Sequence, residues 1–496
     1  MKPHLLYGLA GLTLLAGCSE EKQPPNVIFI YADDLGIGDL SCYGATSIQT
    51  PNIDRLASEG LRFTNAYAAA SVSTPSRYCL LTGQYPWRRN NTGIARGNSG
   101  MIIDTNQYTL ADVFKDAGYA TAVVGKWHLG LGGEDGPDWN NIISSGPQNL
   151  GFDYNFIIPA TVDRVPCVFV EQDRVYNYDA DDPIYVDYDK KIGDLPTGKD
   201  NLELLKLKSS HGHNQTIING IGRIGYMTGG KSAIWVDENI ADTLISKSQQ
   251  FILKNKDNPF FLYLCPHDIH VPRPPHPRFA GKSIMGARGD VILQLDYTVG
   301  KIIEILDSLD ITENTIIIFS SDNGGVVDDG YQDMSVELLG THKPSGIYRG
   351  GKYSAFEAGT KVPLIIKWAT AIKSGTQDAL FSQVDFIASL ANLANITLPE
   401  EACPDSQNHL SNILGYTSED RDYVIQQNQW RVLSVIEGKW KYIPKSFAWK
   451  YDAQTNIELG HDTVPQLYNL ETDPGETTNV AIEHPEIIER LSAIIK

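Results

Sequence analysis

The chain has 496 residues, 42% of them hydrophobic and 20% charged, a balance that excludes fibrous and intrinsically disordered proteins and fits an ordinary globular one. Its formal charge of −19 argues against nucleic acid as a partner; an anionic ligand would have to be held by local cations against the field of the whole molecule. Beyond the N-terminus no run approaches the roughly 18 apolar residues of a membrane helix.

In chain order, residues 1–18 (MKPHLLYGLAGLTLLAGC) combine a positive residue, a short apolar core and small residues before Cys18. Leu15-Ala16-Gly17-Cys18 resembles a bacterial lipobox. That implies cleavage, a lipid on Cys18, and an exported lipoprotein anchored at a periplasmic or cell-surface membrane; the alternative is a plain secretory signal, and either way the protein leaves the cytosol. Residues 19–25 read as a tether. The other cysteines, Cys42, Cys79, Cys167, Cys265 and Cys403, are odd in number and widely spaced, which gives neither a disulfide framework nor a zinc pattern.

Short apolar runs predict buried strands at Asn26–Ala32 and at residues 119–124, 259–264, 315–319 and 362–367. Helical periodicity falls between them, over 109–117, 238–256, 289–309 and 377–395, with another helix opening at Thr50-Pro51. Strands alternating with helices predict an α/β catalytic domain over 26–400, built on a large, mostly parallel sheet flanked by helices. Residues 179–230 are polar and read as an insertion over that sheet. From about residue 400 the pattern changes. RVLSVIEGKWKYIP reads as a hairpin turning at Glu437-Gly438, and a last helix covers 482–495. Residues 401–496 are therefore expected to form a smaller α+β subdomain with an antiparallel sheet.

Four of the predicted strands run straight into polar clusters. They deliver Asp33 and Asp34, Lys126 and His128, His267 and His270, and Asp322 and Asn323. Each cluster alone reads as a turn or a solvated loop. Four deliveries to carboxyl ends of strands point to one ligand site. Asp33, Asp34, Asp322 and Asn323 make an all-oxygen set; converging carboxylates repel unless a cation joins them, and oxygen donors favour calcium over zinc, with magnesium the lesser choice. Arg77, Lys126, Lys352 and the histidines suit a tetrahedral oxyanion. The residues thus point to a metal-assisted site for a phosphate or sulfate ester.

Ser73-Thr74-Pro75-Ser76-Arg77, followed by Thr82-Gly83, resembles the signature of type I sulfatases, members of the alkaline phosphatase-like superfamily. TPNIDRLASEGLRFTNAYAAA, VGKWHLG, SSDNGG, RGGKYSAFEAGTKVPLI and LYNLETDPGE are similar to further family segments, so that the resemblance runs over 26–480. It implies that Ser73, the serine two before Pro75 and four before Arg77, is rebuilt as formylglycine by a cytosolic serine-type maturing enzyme before export. In the family one hydroxyl of the hydrated aldehyde attacks sulfur, and the other loses its proton to expel sulfate. By the same resemblance Asp33, Asp34, Asp322, Asn323 and modified Ser73 hold calcium. Arg77 holds the hydrate, His128 takes the releasing proton, and Lys126, His270 and Lys352 bind sulfate, with His267 behind them. The segments GFDYNFIIPATVDRVPCVFVEQDRV and GTHKPSGIYRGGK resemble bacterial glycan sulfatases and imply a sulfated, galactose-type sugar. Candidate sugar contacts are Asp163, Arg164, His211, His213, His342 and Lys343; Trp127 reads either as a stacking face or as packing.

Two rivals stand beside this reading. One is a phosphoester or phosphonate hydrolase of the same superfamily, but a two-zinc site wants histidines among its carboxylates, and TIIIF leads into Asp-Asn rather than Asp-His. The other is a glycan-binding surface lipoprotein with an inactive site, although every matched catalytic position is filled.

Overall fold

In a computed structural model, residues 23–495 are described; the signal segment and Cys18 lie outside them. A ten-stranded sheet runs through the larger part of the chain. Its strands are β1 (Asn26–Ala32), β2 (Leu61–Phe63), β3 (Ala120–Lys126), β4 (Tyr154–Ile158), β5 (Val170–Glu171), β6 (Arg174–Val175), β7 (Phe260–Cys265), β8 (Thr315–Ser321), β9 (Leu364–Lys367) and β10 (Gly375–Gln377). Their spatial order is β10-β2-β9-β8-β1-β7-β3-β4-β5-β6. The central five, β8-β1-β7-β3-β4, are mutually parallel, with Ile28 of β1 opposite Leu262 of β7 and Ile317 of β8. Every residue of β1, β7 and β8 is buried, as expected for strands covered on both faces.

The covers are two groups of helices. One comprises α1 (Pro51–Glu59), α4 (Ile240–Asn255) and α5 (Gly286–Ser308), which pack on one another. The other comprises α2 (Ser73–Thr82), α3 (Leu110–Asp116) and α6 (Phe386–Leu393). A second, antiparallel sheet joins β11 (Val424–Gln427), β12 (Leu433–Glu437), β13 (Trp440–Ile443) and β14 (Gln466–Asn469), with α7 (Pro485–Ile494) packed on β12 and β13. Cys79 of α2 sits in one cluster with Val435, Tyr442, Leu467 and Leu491, so that α2 is buried between the two sheets.

The fold class is the expected one. The helix predicted over 377–395 is shorter than its periodicity suggested. Gln377 ends β10, Phe381–Ser382 pair with Ala66–Tyr67, and only after these does the chain wind, as a 3-10 turn over Gln383–Asp385 that leads into α6 over Phe386–Leu393. The apolar run there is partly strand because it closes the sheet edge beside β2. In addition, β9 runs antiparallel to β8, which the buried apolar run alone does not distinguish. All five cysteines among the described residues are free.

Candidate active site

Four adjacent parallel strands, β8, β1, β7 and β3, end on the same edge of the sheet. Asp322 and Asn323 follow β8, and Asp33 and Asp34 follow β1. His267 and His270 follow β7, while Lys126 closes β3 with His128 two residues on. The N-terminus of α2 meets this edge and presents Ser73 as its first residue, a place where the helix dipole favours an anion.

The side chains converge. Lys126 Nζ donates to Ser73 Oγ at 2.8 Å and to Asp33 Oδ2 at 2.6 Å. Ser73 Oγ is 3.2 Å from Asp33 Oδ1 and 3.4 Å from Asn323 Oδ1. Arg77, one turn along α2, places Nε 3.0 Å and Nη2 2.8 Å from Asp322 Oδ2. Asn323 Nδ2 donates to Asp34 Oδ1 at 2.8 Å, which turns the amide oxygen toward Ser73. Lys352 Nζ bridges Asp34 Oδ2 at 2.7 Å and Asp329 Oδ2 at 2.8 Å. Asp33, Asp34, Asp322 and Asn323 are all fully buried.

Burial, opposed by Lys126, raises Asp33 to about 8. It also pushes His128 well below its ordinary value, with Lys126 adding to the effect. For Lys352, burial opposes charge, but the Asp329 and Asp34 carboxylates outweigh it and hold the ammonium well above its usual range. The backbone is strained at the same place. Asp34 (φ 58°), His128 (φ 57°), His213 (φ 42°) and Tyr353 (φ 77°) all occupy left-handed conformations. Each such residue costs on the order of 1–3 kcal/mol, which the surrounding contacts must offset.

A cavity of 160 Å³ opens onto Ser73, His128, His270 and Lys352. Of the expected sugar contacts, Asp163, Arg164, His211 and His213 line it. His213 Nε2 lies 2.9 Å from Asp163 Oδ2, and Arg164 Nη1 lies 3.1 Å from Asp163 Oδ1. His211 and His213 arrive on the 179–230 insertion, whose short ribbons pair Tyr185–Asp187 with Tyr226–Thr228 and Ile217–Ile218 with Ile221–Gly222.

His342 and Lys343 belong elsewhere. They line a separate 460 Å³ cavity beside Tyr43 and Tyr348, and His342 Nε2 is committed to Asp39 at 2.8 Å in a buried group that includes Arg288. Their neighbourhood in sequence to Lys352 does not survive folding, because Pro344–Gly346 packs against Gly36 and Gly38 and turns the segment away. His267 is buried and absent from the cavity wall. Trp127 is packing: it is 1% exposed, with Nε1 donating to Gly130 O at 2.8 Å. Asp329, Tyr353 and Gln454 line the cavity without having been singled out from the sequence. Asp329 carried a legible signal, an acid six residues beyond Asn323, but Gln454 comes from the distant C-terminal part and carried none.

The donor set fits a divalent cation. Asp33, Asp34 and Asp322 converge with the Asn323 amide oxygen in a fully buried group, where burial drives Asp33 toward its protonated form; a divalent cation would offset that and hold the carboxylates together. Oxygens of Asp33 and Asp34 and a ring nitrogen of His270 lie within 4.8 Å of one another. The expected all-oxygen set is therefore accompanied by an imidazole: His270 Nε2 is 3.7 Å from Asp34 Oδ2, and its Nδ1 is 2.6 Å from the Val271 carbonyl.

A hydroxyl held by an ammonium and set among carboxylates at the carboxyl edge of a parallel sheet defines an enzyme for an anionic ester. The chain belongs to the sulfatase family, whose model, described as Sulfatase, matches residues 25–396, and it is a hydrolase of sulfate esters. It is 58% identical over 500 residues to an N-acetylgalactosamine-6-O-sulfatase of Bacteroides thetaiotaomicron, covering 99% of this chain and 98% of that protein. A solved structure from work on the metabolism of multiple glycosaminoglycans by Bacteroides thetaiotaomicron matches with a TM-score of 0.95 at 60% identity, over 95% of this chain and 98% of that one. Human steryl-sulfatase is 31% identical over 424 residues, 78% of this chain and 69% of that protein.

Proposed function

We propose that the protein removes the 6-O-sulfate of N-acetylgalactosamine in a glycosaminoglycan-type glycan. The full-length likeness to an enzyme of that name supports this reading, and it narrows the galactose-type sugar expected from the sequence. We extend the proposal to calcium held by Asp33, Asp34, Asp322 and Asn323, to formylglycine derived from Ser73 by a cytosolic maturing enzyme, and to export on a lipidated Cys18. The division at about residue 400 belongs to the same reading.

When present, the metal would supply positive charge beside the sulfate oxygens and the modified side chain would supply the nucleophilic oxygen. The chain's own groups do the rest. Lys126 holds the oxygen of residue 73 with one hydrogen bond and Asp33 with another, which fixes the nucleophile's direction. Lys352 and the N-terminus of α2 offer charge and N–H donors to sulfate. His128 is set up as a proton acceptor. Its Nε2 lies 3.1 Å from the Ala95 carbonyl, so Nε2 carries the hydrogen, and its Nδ1 is a buried lone pair without a partner. Burial keeps that imidazole neutral.

The observation that carries the chemistry is the contact of Ser73 Oγ with Lys126 and Asp33. Two measurements test it. In protein from a host with serine-type maturation, the peptide bearing position 73 should be lighter than the serine form by two hydrogen atoms. The same protein should release sulfate from N-acetylgalactosamine 6-sulfate, while Ser73→Ala should release none. Unmodified serine in active enzyme would defeat the formylglycine reading; faster release of phosphate than of sulfate from matched esters would defeat the substrate.

A further inference from the structure

Residues 445–459 form an irregular hairpin between β13 and β14. Leu459 N donates to Lys450 O at 2.8 Å and Asp452 N to Ile457 O at 2.8 Å, which joins its two arms. Asp452 closes the tip, its Oδ1 accepting from Gln454 N at 3.0 Å and Thr455 N at 2.9 Å. The returning arm is fastened to the segment that carries Lys352. Ser354 Oγ donates to Glu458 O at 2.6 Å, Ala355 N donates to Leu459 O at 3.0 Å, and Arg349 holds the Glu458 carboxylate from two nitrogens at 2.8 and 2.7 Å. At the tip, Gln454 lines the Ser73 cavity. The hairpin is therefore a fixed part of the cavity mouth.

Its outgoing arm is apolar where water should be. Phe447, Trp449 and Tyr451 are 83%, 77% and 49% exposed. One exposed aromatic is ordinary, but three at alternate positions within five residues, on an arm whose tip reaches the cavity, are exposed apolar surface of the kind that marks a binding site. Lys445 lies exposed beside them, and Lys450, also exposed, is 3.6 Å from Glu458 Oε1, a carboxylate that Arg349 already holds. Aromatic faces attract the C–H-rich faces of sugar rings, since the ring face is negative and the C–H edge positive. In a molecule of charge −19, a polyanionic chain also needs local cations to approach.

We infer that this hairpin is a platform for the sugars that adjoin the sulfated residue, so that the enzyme acts on chains in preference to monosaccharides. The inference rests on the reading of the cavity as a site for a sulfated sugar. Because the tip is already ordered, little conformational entropy is lost on binding.

The test uses the full mature chain carrying Ser73→Ala, titrated calorimetrically with a hexasaccharide containing N-acetylgalactosamine 6-sulfate and with the matching monosaccharide. The hexasaccharide should bind about tenfold more tightly. Phe447→Ala with Trp449→Ala should abolish that advantage and leave monosaccharide affinity within about twofold. No advantage, or one that survives both substitutions, overturns the inference. So does a fall in sedimentation coefficient with unchanged glycan affinity, because the patch would then join two copies of the chain. Sulfate release by the active enzyme decides the underlying reading separately: no release from either sugar defeats the substrate assignment whatever the titration shows.

Discussion

Buried charge is concentrated at particular residues, and not all of it serves chemistry. Lys441 of β13 is fully buried, 3.0 Å from Glu357 Oε1 and 3.4 Å from Glu476 Oε1, and so ties the antiparallel sheet to the segment behind Lys352. Burial, opposed by Lys441, raises Glu476 to about 7. An acid whose folded value lies above its unfolded value binds its proton more tightly in the native state. Stability from this group is therefore complete below about 4.5 and is lost as pH rises through about 7. Glu476→Gln cannot ionise. Its stability relative to the parent should rise by on the order of 1–3 kcal/mol between about pH 5 and about pH 8, read from urea unfolding at both. Parallel pH curves for the two proteins would mean that Glu476 does not titrate in that window.

At the level of elements, α2 carries the Ser73–Arg77 signature and is itself a well-terminated helix. Ser73 opens it, Arg77 lies one turn later on the same side, and Gly83 ends it in the left-handed conformation at φ 59°. A Cβ on Gly83 would lie 2.4 Å from Ile387 Cγ2 and 2.7 Å from Cys403 Cβ. Gly83→Ala should therefore destabilise by about 2–4 kcal/mol, the sum of a left-handed residue and an overpacked core, and lower the thermal midpoint. A midpoint at or above the parent's would show that the helix end is free to shift. The same element also buries Cys79, the one thiol near the signature, away from any reactive role. Its thiol is 1% exposed among residues of the antiparallel sheet, and burial raises it well above the ordinary thiol value.

For the whole molecule, the governing fact is that anionic groups gather on an already anionic protein. Three fully buried carboxylates, Asp33, Asp34 and Asp322, converge at the end of the central strands. A cation that binds only the folded state stabilises it by mass action. Chelation should then lower the unfolding midpoint as well as abolish sulfate release, and calcium should restore both more fully than magnesium, which demands a stricter octahedron. Restoration by zinc alone would favour the imidazole of His270 over the oxygen set.

Much of this was legible in the chain. Hydrophobic runs ending in acids or bases announce buried parallel strands and an active edge, because a strand covered on both faces is mostly apolar and its charged residues gather where it leaves the sheet. The signature serine was likewise local, since proline and arginine at fixed offsets distinguish Ser73 from its neighbours. What needed the tertiary structure was everything set by packing between distant segments. Lys343 and Lys352 are nine positions apart in sequence, yet only Lys352 reaches the cavity, because Pro344–Gly346 is pinned against Gly36 and Gly38. Gln454 comes to the same cavity from about a hundred positions further along the chain, through a hairpin whose hydrogen bonds no periodicity encodes. Strand pattern and motif spacing are properties of a few residues along the chain, whereas the walls of a cavity depend on which surfaces meet after the core has closed.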